Sequence, residues 1–207
     1  MTYIFDFDGT LVDSMPTFGD AMIQIFKQEN LPLPKDFVKI ITPLGYKGTA
    51  QYAIQCGYTK DADTFVANAA EAMVPAYLYD IPLKADVYEK LRQLHCEGHS
   101  LNVLTASPHV VLDPCLKRVG VYDLFDHIWS CEDFSLTKAD VLLYEKVADA
   151  LQESLENCIF LDDNIGSVST AKKAGMTAVA VYDASSDDMV AEMKAIADRY
   201  IYSFAEL

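Results

Sequence analysis

The sequence predicts an α/β protein with a parallel sheet covered by helices on both faces and a helical domain inserted near its start. Short apolar segments alternate with segments of helical periodicity over most of the chain, as in a parallel sheet. Residues 14–82 break this alternation, because only helical spacing occurs there. We therefore expect residues 1–13 and 83–207 to form the α/β core and residues 14–82 to form the inserted domain.

Composition excludes several classes of protein. The chain has 207 residues, of which 51% are hydrophobic and 23% charged, enough to bury a large core. It carries 16 Lys and Arg against 31 Asp and Glu, and a net charge of −15 disfavours nucleic acid and anionic membranes as partners. No apolar run approaches the roughly 20 residues of a membrane span. The start of the chain does not resemble a signal peptide, and five scattered cysteines disfavour a disulfide framework. We expect a reduced, cytoplasmic protein, monomeric or homodimeric.

The individual elements follow from periodicity and from breaker residues. Strands are expected at 2–8, 101–104, 127–130, 158–161, 177–181 and 200–203. Helices are expected at 15–26, 50–56, 62–79, 87–97, 109–118, 139–151, 167–174 and 188–197. Prolines and glycines between 32 and 48 interrupt the first helical stretch, so we expect turns there.

Polar residues directly follow three of the predicted strands, at the edge where open α/β sheets bind ligands. Strand alternation places Asp6 and Asp8 on one side of the chain, where two carboxylates repel each other. Oxygen ligands from Asp6 and the Asp162-Asp163 pair, with a backbone carbonyl, would suit Mg²⁺. Each piece alone has an ordinary explanation, because Asp-x-Asp turns are common and Thr105 could be a simple loop hydroxyl. Their occurrence together at successive strand ends predicts a functional site.

Four segments, in order, resemble the motifs of the haloacid dehalogenase superfamily, in the branch whose helical cap lies between the first two motifs. Residues 6–14, DFDGTLVDS, resemble motif one, and residues 103–107, VLTAS, resemble motif two. Lys138, within LTKAD, lies where motif three has its lysine, and residues 160–164, FLDDN, resemble motif four. The resemblance covers most of the chain except the cap. It implies a Rossmann-like core and places the chain in the phosphoglycolate phosphatase or β-phosphoglucomutase-like branch.

The resemblance also implies chemical roles. Asp6 would be the nucleophile that attacks phosphorus and forms an aspartyl-phosphate. Asp8 would protonate the leaving alcohol and then activate water against that intermediate. The Asp6 side chain, the Asp8 carbonyl and Asp163 would hold Mg²⁺. The second acid common in motif four is replaced by Ser167, so metal binding would rest on Asp163 with help from Asp162.

Phosphate binding is assigned in the same way. The Thr105 side chain, the Ala106 amide and Lys138 would bind the charge that develops on the phosphoryl oxygens. Motif three lacks the proline that commonly follows its lysine, and this departure makes the position of Lys138 the least determined of the three.

Substrate choice should lie with the cap. Residues 43–48, PLGYKG, are the candidate specificity loop, where glycines would let the backbone approach a ligand and Lys47 would meet an anionic group. An ordinary surface turn with a solvated Lys47 is the simpler interpretation of the same residues. Tyr77, Tyr79 and Tyr88 are expected to pack the cap hinge.

The expected activity is Mg²⁺-dependent hydrolysis of a small phosphorylated metabolite, of the phosphoglycolate or sugar phosphate type. Dehalogenases of the superfamily lack a counterpart of Asp8 and need no metal, so hydrolysis of a carbon–halogen bond is not expected. A phosphosugar mutase is the nearest enzyme alternative, although mutases usually depart from the pattern of residues 9–11, GTL. An alternative from another class is a signalling module phosphorylated on aspartate without turnover. Its acidic pair would come early in the chain and its acceptor aspartate later, the reverse of the order seen here.

Overall fold

The computed structural model describes residues 1–42 and 44–207. Within them, six strands form one parallel sheet: β1 (Thr2–Phe5), β2 (Ser100–Thr105), β3 (His127–Ser130), β4 (Cys158–Asp162), β5 (Thr177–Val181) and β6 (Arg199–Ile201). Their order in the sheet is β3-β2-β1-β4-β5-β6. The chain extends the sheet to one side of β1 and then to the other, so the strand order reverses at β1. The predicted α/β fold with a Rossmann-like parallel sheet is confirmed.

Helices connect and cover these strands. In the described residues the α-helices are α1 (Met15–Gln28), α2 (Phe37–Ile41), α3 (Gly45–Gln55), α4 (Ala62–Tyr79), α5 (Val87–Cys96), α6 (His109–Arg118), α7 (Cys131–Phe134), α8 (Val141–Leu151), α9 (Ile165–Ala174) and α10 (Val190–Ile196). The first five lie between β1 and β2 in the chain, and the first four of them fall within residues 14–82. The assignment of residues 14–82 to a separate domain stays a prediction. No helix of the described chain has the length and apolar character that crossing a bilayer requires.

The sheet is buried on both faces. Successive residues of a strand point to opposite faces, so Ile4 and Phe5 enter different apolar clusters. Phe5 belongs to the cluster that includes α1 and α4, whereas Ile4 packs with Tyr144 and Val147 of α8. Strands covered in this way consist of nearly continuous apolar residues, which explains why the sequence pattern marked them clearly.

The register of the sheet aligns the ends of its central strands. Phe5 pairs with Val103 of β2 and with Leu161 of β4, and the Asp6 amide donates to the Leu161 carbonyl at 2.8 Å. The residues that follow β1, β2 and β4 therefore meet at one edge, at the point where the strand order reverses. This is the position where open α/β sheets bind ligands.

Several element bounds differ by a few residues from the sequence-based prediction, and helices α2 and α7 were not predicted. Two of the differences lie next to the functional residues. Strand β1 ends at Phe5 instead of continuing to Asp8, because the Phe7 carbonyl already accepts the Leu11 and Val12 amides of a turn in which Gly9 has a φ of +72°. Helix α3 begins at Gly45, within the segment predicted as a loop. A side chain at Gly48 would lie 2.7 Å from the Leu44 Cβ, so this glycine lets the helix pack against the preceding turn. Pro43 of the predicted loop lies outside the described residues.

Candidate active site

A buried lysine joins two of the predicted site aspartates. The Lys138 ammonium contacts the carboxylate of Asp6, which follows β1, and lies 2.8 Å from Oδ2 of Asp162, the last residue of β4. The Lys138 side chain is only 12% exposed. Asp140 accepts hydrogen bonds from the amide and hydroxyl of Thr137, at 3.0 and 2.8 Å. These bonds close the turn around Lys138, where motif three of the superfamily that the sequence resembles has a proline.

Asp163 is held against the turn that follows β1. The Thr10 hydroxyl donates to Asp163 Oδ1 at 3.3 Å and accepts from the Asp163 amide at 3.1 Å. A Cβ placed on Gly9 would lie 2.4 Å from Asp163 Oδ2. Only glycine therefore permits this approach, and its positive φ is also one that other residues rarely adopt.

The carboxylate of Asp8 accepts hydrogen bonds from three hydroxyl groups. Ser14 and Tyr77 donate to Oδ1 at 2.7 and 2.5 Å, and Ser107 donates to Oδ2 at 2.5 Å. These donors come from the start of α1, from α4 and from the segment after β2. Elements far apart in sequence thus fix one carboxylate.

The segment after β2 completes the site. Thr105 is the last residue of β2 and is 1% exposed, and its hydroxyl accepts the Ser107 amide at 3.1 Å. A cavity of about 300 Å³ opens at this edge of the sheet. It is lined by Asp6, Asp8, Thr105, Ala106, Lys138, Asp162 and Asp163, among others. Of the residues predicted for the site, all except Lys47 are thus brought to one cavity.

The charges at this edge do not balance. One oxygen from each of Asp6, Asp162 and Asp163 lies within 4.8 Å of the others, and all three residues are buried. If all three carboxylates were ionised, the single ammonium of Lys138 would leave two negative charges uncompensated. Such a set of hard oxygen donors fits a divalent cation of the Mg²⁺ type.

The pKa values of Asp6, Asp163 and Lys138 reflect the same excess of buried carboxylates over ammonium groups. Burial raises the pKa of Asp6 from its ordinary value of 3.8 to about 7, against the opposing effect of Lys138. Burial, followed by the charge of Asp162, raises the pKa of Asp163 well above its ordinary value. Burial acts to lower the pKa of Lys138, but Asp162 and Asp6 overcome it and raise that pKa above its usual range. Without a cation, the carboxylates compete with one another for protons.

The cap side of the cavity differs from the prediction. Lys47 lies on α3, is exposed and is not part of the cavity lining. Lys39 of α2 lines the cavity, together with Thr42, Leu44 and Tyr46. Sequence reasoning placed the cation within the glycine-containing segment and did not consider Lys39, whose surroundings carry no motif.

Three hydroxyl donors to Asp8 were also missed as functional residues. Ser14 and Ser107 stand inside the first two motifs, so their position next to Asp8 could have been weighed. Tyr77 was grouped with Tyr79 and Tyr88 as hinge packing, but Tyr77 is 1% exposed whereas Tyr79 is 74% exposed. Helical spacing places Tyr77 and Tyr79 on different faces of α4, but only the packing of neighbouring elements decides which face is buried.

Comparison with known proteins identifies the family. The family model described as haloacid dehalogenase-like hydrolase matches residues 3–181. The chain belongs to the haloacid dehalogenase-like hydrolase family. It is 29% identical over 205 residues to a phosphoglycolate phosphatase of Rhodospirillum rubrum, covering 94% of this chain and 84% of the relative. It is 26% identical over 194 residues to validoxylamine A 7'-phosphate phosphatase of Streptomyces hygroscopicus subsp. limoneus, covering 91% and 89%.

A solved structure supports the same fold. The protein resembles CbbY from Rhodobacter sphaeroides, solved in complex with phosphate, with a TM-score of 0.83 at 20% identity over 100% of this chain and 95% of that one. The family resemblance drawn from the four motifs is therefore confirmed, and the chain is a hydrolase of this family.

Proposed function

We propose that this hydrolase is a Mg²⁺-dependent phosphatase that removes phosphate from a small phosphorylated metabolite of the phosphoglycolate or sugar phosphate type. The observation that carries the proposal is the contact of Asp6 with Lys138. This contact lies within the buried group of carboxylates formed by Asp6, Asp162 and Asp163, which lines the cavity. A nucleophilic carboxylate beside a phosphate-binding cation is the arrangement that phosphoryl transfer to an enzyme requires. The phosphatase names of two relatives agree with it.

The reaction has two displacements at phosphorus. In the first, a carboxylate oxygen of Asp6 bonds to phosphorus as the bond to the alcohol oxygen breaks, and Asp8 gives that oxygen its proton. In the second, Asp8 takes a proton from water as the water oxygen attacks phosphorus and releases Asp6. When bound, Mg²⁺ would be held by Asp6, Asp163 and the Asp8 carbonyl, and it would shield the phosphoryl oxygens from the attacking carboxylate.

The remaining residues bind charge and hold the reacting groups. Lys138, the Thr105 hydroxyl and the Ala106 amide offer donors to the phosphoryl oxygens at one wall of the cavity. The hydroxyls that bond to Asp8 keep its carboxylate at the mouth of the site, between the cap helices and the sheet edge. Asp162 anchors Lys138 from behind, since its other oxygen accepts the Asn164 amide at 2.7 Å.

The test is phosphate release from p-nitrophenyl phosphate, phosphoglycolate and hexose phosphates, each with Mg²⁺ and with EDTA. Wild type should release phosphate only with Mg²⁺, and Asp6→Asn should lose this activity by at least a thousandfold because the nucleophile is gone. Asp20→Asn, which changes an exposed aspartate of α1, is the matched control. Turnover that survives Asp6→Asn would sink the nucleophile assignment. Conversion of a hexose 1-phosphate to its isomer without net phosphate release would instead favour the mutase alternative.

A further inference from the structure

Lys84, which no motif includes, makes three hydrogen bonds behind the active site. It lies where the chain returns from the inserted helices to the sheet. Its Nζ lies 2.6 Å from the Gly9 carbonyl oxygen, 2.6 Å from the Tyr182 carbonyl oxygen and 3.0 Å from Oδ2 of Asp183. An ammonium group has three hydrogens to donate, so these partners use its full capacity. The Lys84 side chain is 18% exposed and that of Asp183 is 5% exposed.

The first of these bonds fixes the turn that carries the catalytic aspartates. The Gly9 amide donates to the Val12 carbonyl at 3.0 Å, and the Lys84 amide donates to the Leu11 carbonyl at 2.9 Å. Both polar groups of Gly9 are therefore bonded, one of them by the Lys84 ammonium. The Asp8 carbonyl shares a planar peptide unit with the Gly9 amide. Fixing Gly9 thus fixes the direction of the Asp8 carbonyl.

The same turn supports Asp163. Because a Cβ on Gly9 would lie 2.4 Å from Asp163 Oδ2, the Asp163 carboxylate rests directly against the Gly9 backbone. Any displacement of Gly9 is transmitted to this carboxylate. Through Gly9, the ammonium of Lys84 therefore helps to fix the Asp8 carbonyl and the Asp163 carboxylate, to which it makes no hydrogen bond.

Asp183, the carboxylate partner of Lys84, connects the lysine to the cavity wall. Asp183 Oδ1 accepts the amide and the hydroxyl of Ser185, at 2.9 and 2.5 Å, and Ser185 lines the cavity. One buried ion pair therefore joins the turn after β1 to the segment after β5. Burying a lysine–aspartate pair is costly unless its hydrogen bonds are complete, as they are for this lysine.

We propose that Lys84 is a positioning residue of the metal site, which acts through Gly9 to hold the Asp8 carbonyl and the Asp163 carboxylate in place for one divalent cation. This inference rests on the proposed function, because it takes Asp8 and Asp163 as the ligands. A positioning role and a purely electrostatic role of Lys84 predict opposite changes in cation affinity when the lysine is removed. The positive charge of Lys84 acts to lower the pKa of Asp163. Removing that charge alone would therefore strengthen cation binding. Loss of positioning would weaken it.

The experiment measures binding of Mn²⁺ alone, which prefers the same oxygen ligands as Mg²⁺ and gives an electron paramagnetic resonance signal when free. The Lys84→Met protein should bind Mn²⁺ at least about tenfold more weakly than wild type, as is typical when a residue that orients metal ligands is lost. Lys172→Met removes an exposed lysine from its pair with Asp198 and should stay within twofold of wild type. Asp163→Asn defines the signal that belongs to this site.

Unchanged or tighter Mn²⁺ binding by Lys84→Met would overturn the proposal and leave Lys84 a structural brace. If the unpaired Asp183 prevents folding of that variant, the charge-balanced Lys84→Met/Asp183→Asn protein replaces it with the same criteria. Wild type that binds no Mn²⁺ through Asp163 would overturn both this inference and the metal part of the proposed function. Mn²⁺ binding without phosphate release would overturn the phosphatase activity only, and the Lys84 result would stand.

Discussion

The Tyr77 hydroxyl donates a 2.5 Å hydrogen bond to Oδ1 of Asp8, although 69 residues separate the two in the chain. Tyr77 is 1% exposed, and its ring stacks on Phe7 with 5.8 Å between ring centroids. Arg118 of α6 donates to the Tyr77 carbonyl at 3.1 Å. A helix of the predicted cap therefore touches the proposed acid and base through a rigidly held phenol.

Tyr77→Phe should lower kcat by roughly ten- to a hundredfold, because one hydrogen bond to a charged group contributes roughly 1.5–3 kcal/mol. KM should change less, since the phenol bonds to Asp8 and not to the residues proposed to bind phosphate. Tyr79→Phe, an exposed tyrosine two residues further along α4, is the control. Steady-state kinetics on the best ester of the substrate panel provide the measurement. Equal kcat in Tyr77→Phe and wild type would remove Tyr77 from the positioning of Asp8.

Gly9→Ala should abolish metal-dependent activity, by a hundredfold or more, because the new methyl group would displace the Asp163 carboxylate. Gly120→Ala is a closely matched control. Gly120 has a φ of +77° against +72° for Gly9, but a Cβ there meets nothing within 4 Å. Both variants should lose about 1–2 kcal/mol of stability from the left-handed conformation. Activity in Gly9→Ala equal to that in Gly120→Ala would contradict the close approach of Gly9 and Asp163.

The metal-free protein should lose stability as pH rises from about 4 through 7. The pKa of Asp6 is raised by burial from 3.8 to about 7, so in this window the folded state binds a proton that the unfolded state has released. That stabilisation is complete below pH 4 and is lost as pH passes 7. Melting temperatures in EDTA at pH 5.5 and 8 measure it.

Two comparisons make the pH dependence specific to the cluster. Asp6→Asn should show a smaller decline between pH 5.5 and 8, because the titrating carboxyl is absent. Addition of Mg²⁺ should raise the melting temperature of wild type more at pH 8 than at pH 5.5, since protons compete with the cation for the same oxygens. An Asp6→Asn protein with the pH dependence of wild type would show that other groups cause the decline.

Lys39→Met should raise KM for a substrate with a second anionic group by about three- to tenfold, with a smaller change in kcat. Both lysines are exposed, but Lys39 lines the cavity and Lys47 does not. The sequence offered Lys47 as an anion-binding residue and, as the simpler interpretation, as a solvated surface lysine. Lys47→Met measured beside it compares the two interpretations directly. An equal or larger rise in KM for Lys47→Met would instead assign the anion-binding role to Lys47.

Sequence reasoning found the groups that stand in motifs at strand ends. Asp6, Thr105 and the Asp162-Asp163 pair each end or follow an apolar strand, and parallel strands bring such ends to one edge. Motif three lacks the proline that commonly follows its lysine, so the motif alone did not determine the position of Lys138. The structure brings it to Asp6 by a turn that Asp140 closes, a hydrogen bond that spacing alone does not reveal.

The sequence by itself determined the α/β class, the six strands, most of the helices and the motif residues, because buried strands and helices have distinct apolar periods and the predicted site residues follow strand ends directly. The tertiary structure alone decided which groups from distant segments meet. Tyr77 reaches Asp8 because α4 packs against α6 and the Tyr77 ring stacks on Phe7. Lys84 reaches Gly9 because the returning chain pairs with the turn, and Lys39 rather than Lys47 lines the cavity. Hydrogen bonds and ion pairs between segments far apart in sequence leave no local period, so packing of the whole chain selects them.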